Sequence, residues 1–174
     1  KALRDSEKTL NLALEGAQIG LWDQNFKTGI VNRSDHWAMM LGYDPAEMKN
    51  DLDFWKSNIH PDDIETALNE AARHEQGLTE FYKVQHRLKC KNGNYKWILN
   101  WGKISERDEE GKPVRALGIH LDIDEHRQIE ESLKLSEERL RYALDGNSDG
   151  IWDWNLKTGA VYFSPRYYTM LGYK

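Results

Sequence analysis

The residues of this chain best suited to acid–base chemistry stand together at positions 60 to 63, in the order His60, Pro61, Asp62, Asp63. An imidazole beside two carboxylates is a familiar set of proton-transfer groups. Proline at the first helical position, followed by acidic residues in the first turn, is also the usual beginning of a helix. We therefore interpret this cluster as a helix start, capped by Asp62 or Asp63, and not as a catalytic site.

No catalytic nucleophile or metal site is indicated elsewhere in the sequence. None of the six histidines has another four residues away, and the single cysteine, Cys90, forms no Cys-x-x-Cys motif. The usual zinc-binding spacings are therefore missing. The sequence also has no Gly-x-Ser-x-Gly motif, no phosphate-binding loop and no kinase or cyclase signature. We expect no catalytic residues and no metal in this chain.

The composition predicts a globular domain that contacts neither nucleic acid nor membrane. The 174 residues carry a formal net charge of -5, with the basic residues scattered along the chain. Such a balance argues against a phosphate-binding surface. The apolar runs are far shorter than the roughly 20 residues that cross a bilayer. A single cysteine excludes an internal disulfide and fits a reducing compartment, so we expect a cytoplasmic location.

The sequence repeats itself at an interval of 130 residues. "GLWDQNFKTG" at 20–29 returns as "GIWDWNLKTG" at 150–159, and residues 3–43 share twenty identities with residues 133–173 without a gap. This interval exceeds the roughly 20 to 50 residues of a solenoid unit, so each copy is a whole domain. The chain therefore holds one complete copy and the opening third of a second. The helical pattern before the first copy suggests that a further module precedes it.

The complete copy contains strand and helix patterns in an order typical of an α+β domain. Gly29 in the first turn and Asn92-Gly93 in a later one suit tight hairpins. The order predicts a five-stranded antiparallel sheet with short helices on one face. The predicted elements are an amphipathic helix over 3–16, a hairpin over 20–34, helices over 35–43 and 60–77, strands over 81–89, 95–105 and 114–124, and a charged helix from Glu125 onward.

Five motifs of the complete copy together identify a family. In order they are "GLWDQNFKTG", "MLGYDPAEM", "WKSNIHPDD", "RLKCKNGNYKWI" and "GIHLDIDEHRQIEESL". With these motifs, residues 20–127 resemble a PAS domain with its C-terminal PAC segment, of the Trp-rich type found in bacterial and archaeal signalling proteins. The resemblance implies the PAS fold. It divides the chain into an N-terminal linker helix (1–17), a PAS/PAC domain (18–127), a connecting helix (128–146) and the start of a second PAS domain (147–174).

The resemblance also implies a function in signal transduction. A PAS domain of this type is a sensory input module that responds to a ligand, a redox state or a partner, and we expect this chain to form a homodimer. It regulates an output domain outside this chain, in this family most often a histidine kinase or a diguanylate cyclase. The alternative is a structural PAS domain with a packed core, which dimerises and transmits without a ligand.

Two cofactors of PAS relatives match this sequence poorly. Haem-binding relatives hold iron through a histidine on the helix that corresponds to 60–77, and Leu68 stands near that place. His74, close to the end of the same helix, is interpreted as a solvated residue. Flavin-binding photosensors use a cysteine within Asn-Cys-Arg on a helix, whereas Cys90 precedes a hairpin turn and is interpreted as a surface thiol. Neither haem nor flavin is favoured.

A small-molecule ligand would lie between the sheet and the helices. Plain core packing is the more frequent role of aromatic and methionine side chains at such spacings, and the sequence does not separate the two interpretations. The candidate pocket residues are Trp22, Trp37, Met40, Tyr82, Val84, Trp97, Leu99, Leu117 and Ile119.

The end of the last strand and the connecting helix form the candidate route for a signal. Asp122, Ile123 and Asp124 join the two, and Asp124, where the family usually has Thr, is expected to cap the helix. Pairing of two such helices would let a small change at the sheet alter the helix register, whereas a solvated helix is the alternative. The candidate dimer residues, spaced as in a coiled coil, are Ile129, Leu133, Leu140 and Ala143.

Overall fold

The computed structural model describes residues 12, 14, 16, 19–146 and 150–173, with side chains for all of these except 143–146. These residues belong to two compact units, 1–127 and 128–174. The predicted helix over 3–16 falls almost entirely outside the described residues.

The first unit is built on one antiparallel sheet, as the sequence predicts. Its strand order is β2-β1-β5-β4-β3, so the first hairpin and the last three strands meet through β1 and β5. The predicted five-stranded antiparallel sheet is confirmed. The strands are β1 (Ile19–Asn25), β2 (Val31–Arg33), β3 (Tyr82–Lys89), β4 (Tyr95–Arg107) and β5 (Pro113–Asp122).

The helical elements that cover one face of the sheet lie between β2 and β3 in the chain. Their apolar side chains form a buried cluster with Leu88 and Ile98 from β3 and β4. We call the covered side of the sheet its inner face. The helical elements are α1 (Asp35–Met40), a short 3-10 turn (Pro45–Glu47), α2 (Leu52–Asn58) and α3 (Pro61–Glu75).

The beginning of α3 explains the cluster of His60, Asp62 and Asp63. His60 is the capping residue, and its Nδ1 accepts a hydrogen bond from the backbone N–H of Asp62 at 3.2 Å. The prediction that Asp62 or Asp63 caps the helix is therefore wrong. Asp63 instead accepts two side-chain hydrogen bonds from Arg87, at 2.7 and 2.8 Å, which lower its pKa. The cluster therefore connects α3 to β3, which agrees with a structural role for these residues.

The inner face of the sheet carries the opposite set of residues from the one predicted for β4 and β5. On β5 the buried positions are Ala116 and His120, and on β4 they include Ile98 and Asn100. Asn100 pairs with His120 across the strands, as Trp101 pairs with Ile119 on the outer face. Strand alternation fixes which residues share a face, whereas the helices decide which face is covered. Four predicted pocket residues are therefore on the outer face and not in the pocket: Trp97, Leu99, Leu117 and Ile119.

The last elements include a long helix, α4 (Asp124–Gly146), which crosses the boundary between the two units. The second unit also contains a two-stranded sheet of β6 (Trp152–Trp154) and β7 (Val161–Phe163), followed by α5 (Pro165–Met170). Within the described residues, no helix combines the length and apolarity needed to span a bilayer.

Candidate ligand cavity and helix junction

A cavity of about 210 Å³ lies between the inner face and the helices of the first unit. An apolar cavity of about 150 Å³ is known to hold a benzene-sized molecule, so this space admits a ring with a small polar substituent. Its walls come from all five strands of the sheet on one side and from α1, α2 and α3 on the other. The complete copy therefore contains a pocket where the sequence left pocket and packed core undecided.

Trp22 forms part of the cavity wall by lying over two glycines. A Cβ atom built on Gly118 would be 2.2 Å from Trp22 Cζ2, and one on Gly102 would be 2.4 Å from the same atom. Only glycine at both positions leaves room for the indole ring. Trp22 Nε1 donates a hydrogen bond to Asn100 Oδ1 at 3.0 Å, which fixes the ring against the sheet.

Two tryptophans from the helices bind two buried histidines of the sheet. Trp37 Nε1 donates to His120 Nδ1 at 2.8 Å, and Trp55 Nε1 donates to His86 Nε2 at 3.2 Å. Burial lowers the pKa of His86 to about 4 and that of His120 well below its ordinary value, so both rings are neutral near pH 7. Because the accepting nitrogens carry no proton, His120 is protonated at Nε2 and His86 at Nδ1.

Arg33 lines the cavity from the end of β2. Its guanidinium donates to three backbone carbonyls, those of Lys49 at 2.7 Å, Asp51 at 2.8 Å and Val31 at 3.4 Å. The group also lies 4.9 Å from the centre of the Trp37 ring, within the range of a cation–π interaction. Burial lowers the pKa of Arg33 to about 10, so it remains a cation at neutral pH.

The predicted pocket residues are only partly brought together. Trp22, Trp37 and Tyr82 line the cavity. Met40 and Val84 are buried but are not among the lining residues, and the four outer-face residues are excluded by their side of the sheet. Prediction from sequence missed Arg33, Asn100 and His120. The signal available for the last two was their position, because each is a polar residue between apolar neighbours and two places from a glycine.

His74 and Cys90 differ from their predicted surroundings. His74 is 6% exposed, not solvated; its Nε2 accepts from the N–H of Ile104 at 3.1 Å and its Nδ1 is 2.9 Å from the carbonyl of Thr79. Both ring nitrogens are engaged, so His74 does not offer a ligand to haem iron. Cys90 is buried, not on the surface, and burial raises the pKa of its thiol.

The cavity also does not fit a large cofactor. Its volume falls below the roughly 300 to 1,000 Å³ of pockets that hold drug-sized ligands, and Leu68 supplies no metal-binding atom to its wall. Cys90 is not among the lining residues. Over the described part of the chain, no three His, Cys, Asp or Glu side chains come close enough to hold a metal ion. The residues therefore match neither haem nor a flavin adduct.

The predicted signal junction is attached to β4 by several hydrogen bonds. Ile123 N donates to the carbonyl of Trp97 at 2.9 Å, and Trp97 N donates to Asp124 Oδ1 at 3.3 Å. Asp124 is the first residue of α4, and its own N–H donates to Asp122 Oδ1 at 2.9 Å. Asp122, and not Asp124 as predicted, therefore satisfies the N–H group at the beginning of the helix.

Trp97 also contacts the first turn of α4 through its ring. The guanidinium of Arg127 lies 3.8 Å from the ring centre, and that of Arg87 lies 5.2 Å away. Lys96, the neighbour of Trp97, binds the Asp122 carboxylate at 2.7 Å. The outer-face tryptophan thus belongs to the junction and not to the pocket.

The predicted dimer residues lie along α4 beyond this junction. Ile129, Leu133 and Leu140 are 62%, 58% and 61% exposed among the residues that the structure describes, and they form an apolar stripe along the helix. Ala143 lies outside the residues whose side chains are described.

Comparison with known proteins places this geometry in a family. Residues 30–120 match the family profile described as the PAS fold. A sensory box histidine kinase/response regulator from Burkholderia thailandensis is 32% identical, with a TM-score of 0.65 over 76% of this chain and 97% of that one.

Two curated relatives are similar over most of this chain. The sensor protein FixL of Bradyrhizobium diazoefficiens is 31% identical over 75% of this chain and 25% of its own length. The probable diguanylate cyclase DgcE of Escherichia coli is 28% identical over 82% of this chain and 12% of its own. The chain thus spans a quarter or less of these relatives. The family profile covers more than half of the chain and agrees with the fold and the motifs, so the chain belongs to the PAS family.

Proposed function

We propose that residues 18–127 form a sensory PAS domain, which binds a small molecule in the cavity and regulates an output domain elsewhere in the parent protein. The observation that supports this most directly is the cavity of about 210 Å³ with polar side chains in its walls. A core that served only as packing would favour close contact over such a space. The single free thiol fits the cytoplasm as the proposed location.

The route from the cavity to the output runs through β4 and the junction. Asn100 binds Trp22 in the cavity and is three residues from Trp97 on the same strand. Trp97 in turn forms hydrogen bonds with Ile123 and Asp124, and its ring contacts Arg127. A ligand that moves Trp22 would change the position of β4, and the hydrogen bonds of Trp97 would carry that change into α4. We propose that a shift or rotation of α4 is the output of the domain.

The output domain is proposed to be a histidine kinase or a diguanylate cyclase, so that the parent protein is a signalling enzyme. The names of the relatives include both classes. Assays of the full-length parent distinguish them, because autophosphorylation from ATP marks the kinase and formation of a cyclic dinucleotide from GTP marks the cyclase.

Ligand binding is tested with a substitution that fills the cavity. Ala116 lines the cavity from β5, and Ala116→Leu places three additional carbon atoms there. We expect small-molecule ligands found by ligand-observed NMR to bind the variant at least about tenfold more weakly. Ala46→Leu is the matched control, because Ala46 is exposed outside the cavity, and it should leave binding unchanged.

The same pair of variants also tests the structural alternative. If no small molecule binds the wild-type chain and Ala116→Leu only raises its stability, the cavity is a packing defect and the sensory proposal fails. If ligands bind, hydrogen exchange at residues 123–127 should change on their addition, because these amides report on the junction.

A second role, dimerisation through α4, is supported by the exposed stripe of Ile129, Leu133 and Leu140. We propose that two copies pair along this stripe. Sedimentation should give a dimer for the wild-type chain and a monomer for Leu133→Lys with Leu140→Lys. Leu135→Lys with Tyr142→Lys is the control, since these residues are also exposed but lie off the stripe. A monomeric wild-type chain would reject the pairing.

A further inference from the structure

We infer that the cavity binds a small planar organic anion, a monocarboxylate with a flat apolar body, whose carboxylate lies against Arg33. This inference rests on the proposed sensory function and names the class of ligand that the cavity takes.

The first support is the unusual bonding of Arg33. Arg87 and Arg115 each form two hydrogen bonds with one aspartate, Asp63 and Asp23 respectively. Arg33, by contrast, donates only to backbone carbonyls and forms no ion pair within the described chain. A partly buried cation normally has an anionic partner, because desolvation of an unpaired charge is costly. The ligand would supply the missing carboxylate.

Arg33 retains donors for such a ligand. Three of its five N–H groups bind the carbonyls, and the remaining two, which include Nε–H, have no acceptor in the part of the chain that is described. The carboxylate of Asp51 attracts Arg33 electrostatically, but it accepts the N–H of Phe54 at 2.7 Å and makes no ion pair with Arg33.

The second support is the set of hydrogen-bond donors that Asn100 and His120 present in the cavity wall. Asn100 Oδ1 is taken by Trp22, His120 Nδ1 by Trp37, and His74 Nε2 by the N–H of Ile104. The groups left over on Asn100 and His120 are donors, namely the amide NH₂ and Nε2–H. Gln24 and Glu75 also line the cavity and carry acceptor oxygens, but the part of the wall formed by Asn100 and His120 offers donors, which favour a carboxylate.

The other charged side chains of the cavity wall are arranged so that positive charge lies on the side of Arg33. Besides Arg33, the charged lining residues are Lys56 on α2 and Glu75, the last residue of α3. Lys56 lies on α2. Asp51 caps the beginning of that helix, and its backbone carbonyl accepts a hydrogen bond from Arg33. Glu75 is exposed at the far end of α3. The positive charge is therefore concentrated at the β2–α2 side of the cavity.

The apolar body of the ligand follows from the aromatic walls. Trp22 lies over its glycines, and Trp37 and Trp55 enter from the helices. Flat faces of this kind favour a planar ring through stacking. Benzoate is a suitable probe because it combines one ring with one carboxylate, and benzamide is its neutral isostere.

The test measures binding of benzoate, benzamide and benzylamine to the full chain by ligand-observed NMR at pH 7.5. We expect benzoate to bind at least about tenfold more tightly than benzamide, because a charge-assisted pair with Arg33 is lost in the amide. Benzylamine should bind most weakly. Arg33→Gln should remove the preference for benzoate, whereas Arg115→Gln, in which the altered residue lies outside the cavity wall, should retain it.

Each possible result of these measurements either supports or overturns the anionic ligand. Equal binding of benzoate and benzamide overturns the anion while leaving the sensory cavity intact. Binding of no probe also overturns the anion, and the Ala116→Leu experiment then decides separately whether the cavity takes any ligand. If Arg33→Gln fails to fold, the preference of the wild-type chain for benzoate over benzamide still tests the inference. Arg33→Lys, which keeps the charge without the planar fork, should then bind benzoate with intermediate affinity.

Discussion

The same decapeptide occurs in two parts of this chain, and its local structure is nearly the same in both. Asn25 Oδ1 accepts the N–H groups of Lys27 and Thr28, as Asn155 Oδ1 accepts those of Lys157 and Thr158. The turn glycines, 29 and 159, have φ angles of 73° and 74°. Turn and strand pairing are therefore encoded by a few neighbouring residues.

The surroundings of the two copies differ completely. Trp22 lies over Gly118 and Gly102 and binds Asn100, whereas Trp152 at the matching position is 59% exposed. The first hairpin pairs with β5, while the second forms a sheet of two strands. The comparison shows that the ten residues specify a hairpin, and that β4, β5 and the helices convert it into a cavity wall.

Truncating the two tryptophans should give the largest contrast. We expect Trp22→Ala to lower the free energy of unfolding of the first unit by about 3 kcal/mol, because it removes a large side chain and leaves Asn100 without its partner. Trp152→Ala should change it by less than about 0.5 kcal/mol. Urea unfolding followed by hydrogen exchange in β5 measures both. Equal losses would mean that Trp152 has a buried environment.

Gly118 is one of the two glycines that make room for the Trp22 ring. Gly118→Ala places a Cβ 2.2 Å from Trp22 Cζ2 and 2.6 Å from the backbone oxygen of Trp101, so we expect a loss of about 2 to 3 kcal/mol. Adding Trp22→Leu to this variant should recover part of the loss, because the shorter side chain removes one of the collisions. Gly16→Ala, where nothing lies within 4 Å, is the control.

The glycines and histidines also show what sequence could and could not predict. The turn at Gly29, the beginning of a helix at Pro61 and the strands were predicted because each depends on neighbouring residues. The orientation of β4 and β5 was not, because Trp97 and Leu117 are more apolar than the His120 and Asn100 that are actually buried. Tryptophan N–H donors from other elements make those polar residues suitable for the inner face, since Trp37 of α1 binds His120 and Trp22 of β1 binds Asn100.

Those buried histidines make the stability of the first unit depend on pH. The folded pKa of His86 is about 4, below the ordinary value of 6.5, so the unfolded chain binds a proton in a range where the folded chain does not. Stability is therefore full above pH 6.5 and falls as the pH drops towards 4. At pH 5 the loss is about 2 kcal/mol for this residue, and His120 acts in the same direction.

Urea titrations at pH 7.5 and pH 5 test this dependence. His86→Gln, which retains an acceptor for Trp55, should lose less stability between the two pH values than the wild-type chain. Residues 150–173 contain no histidine, so exchange within β6 and β7 should change little over the same range. A wild-type stability that is flat from pH 7.5 to pH 5 would contradict the neutral, buried state of His86.

The smallest effect should come from the helix caps, which are alike in both copies. Ser34 Oγ accepts from the N–H groups of Leu21 at 2.9 Å and Trp37 at 3.4 Å, and Ser164 Oγ accepts from those of Ile151 at 3.0 Å and Tyr167 at 3.3 Å. Ser34→Ala should lower the stability of the first unit by about 1 kcal/mol. Ser164→Ala removes the same two bonds, but its effect should be limited to exchange within residues 150–173.

Threonine at each position is the matched control, because it keeps the hydroxyl and should preserve most of the cap. An equal loss of stability in the first unit from Ser34→Ala and Ser164→Ala would mean that the two copies unfold together. Because β6 and β7 form a two-stranded sheet of their own among the described residues, we expect the two losses to be separate. A hydrogen bond of the same geometry then contributes to global stability only where the remaining strands of the domain are present.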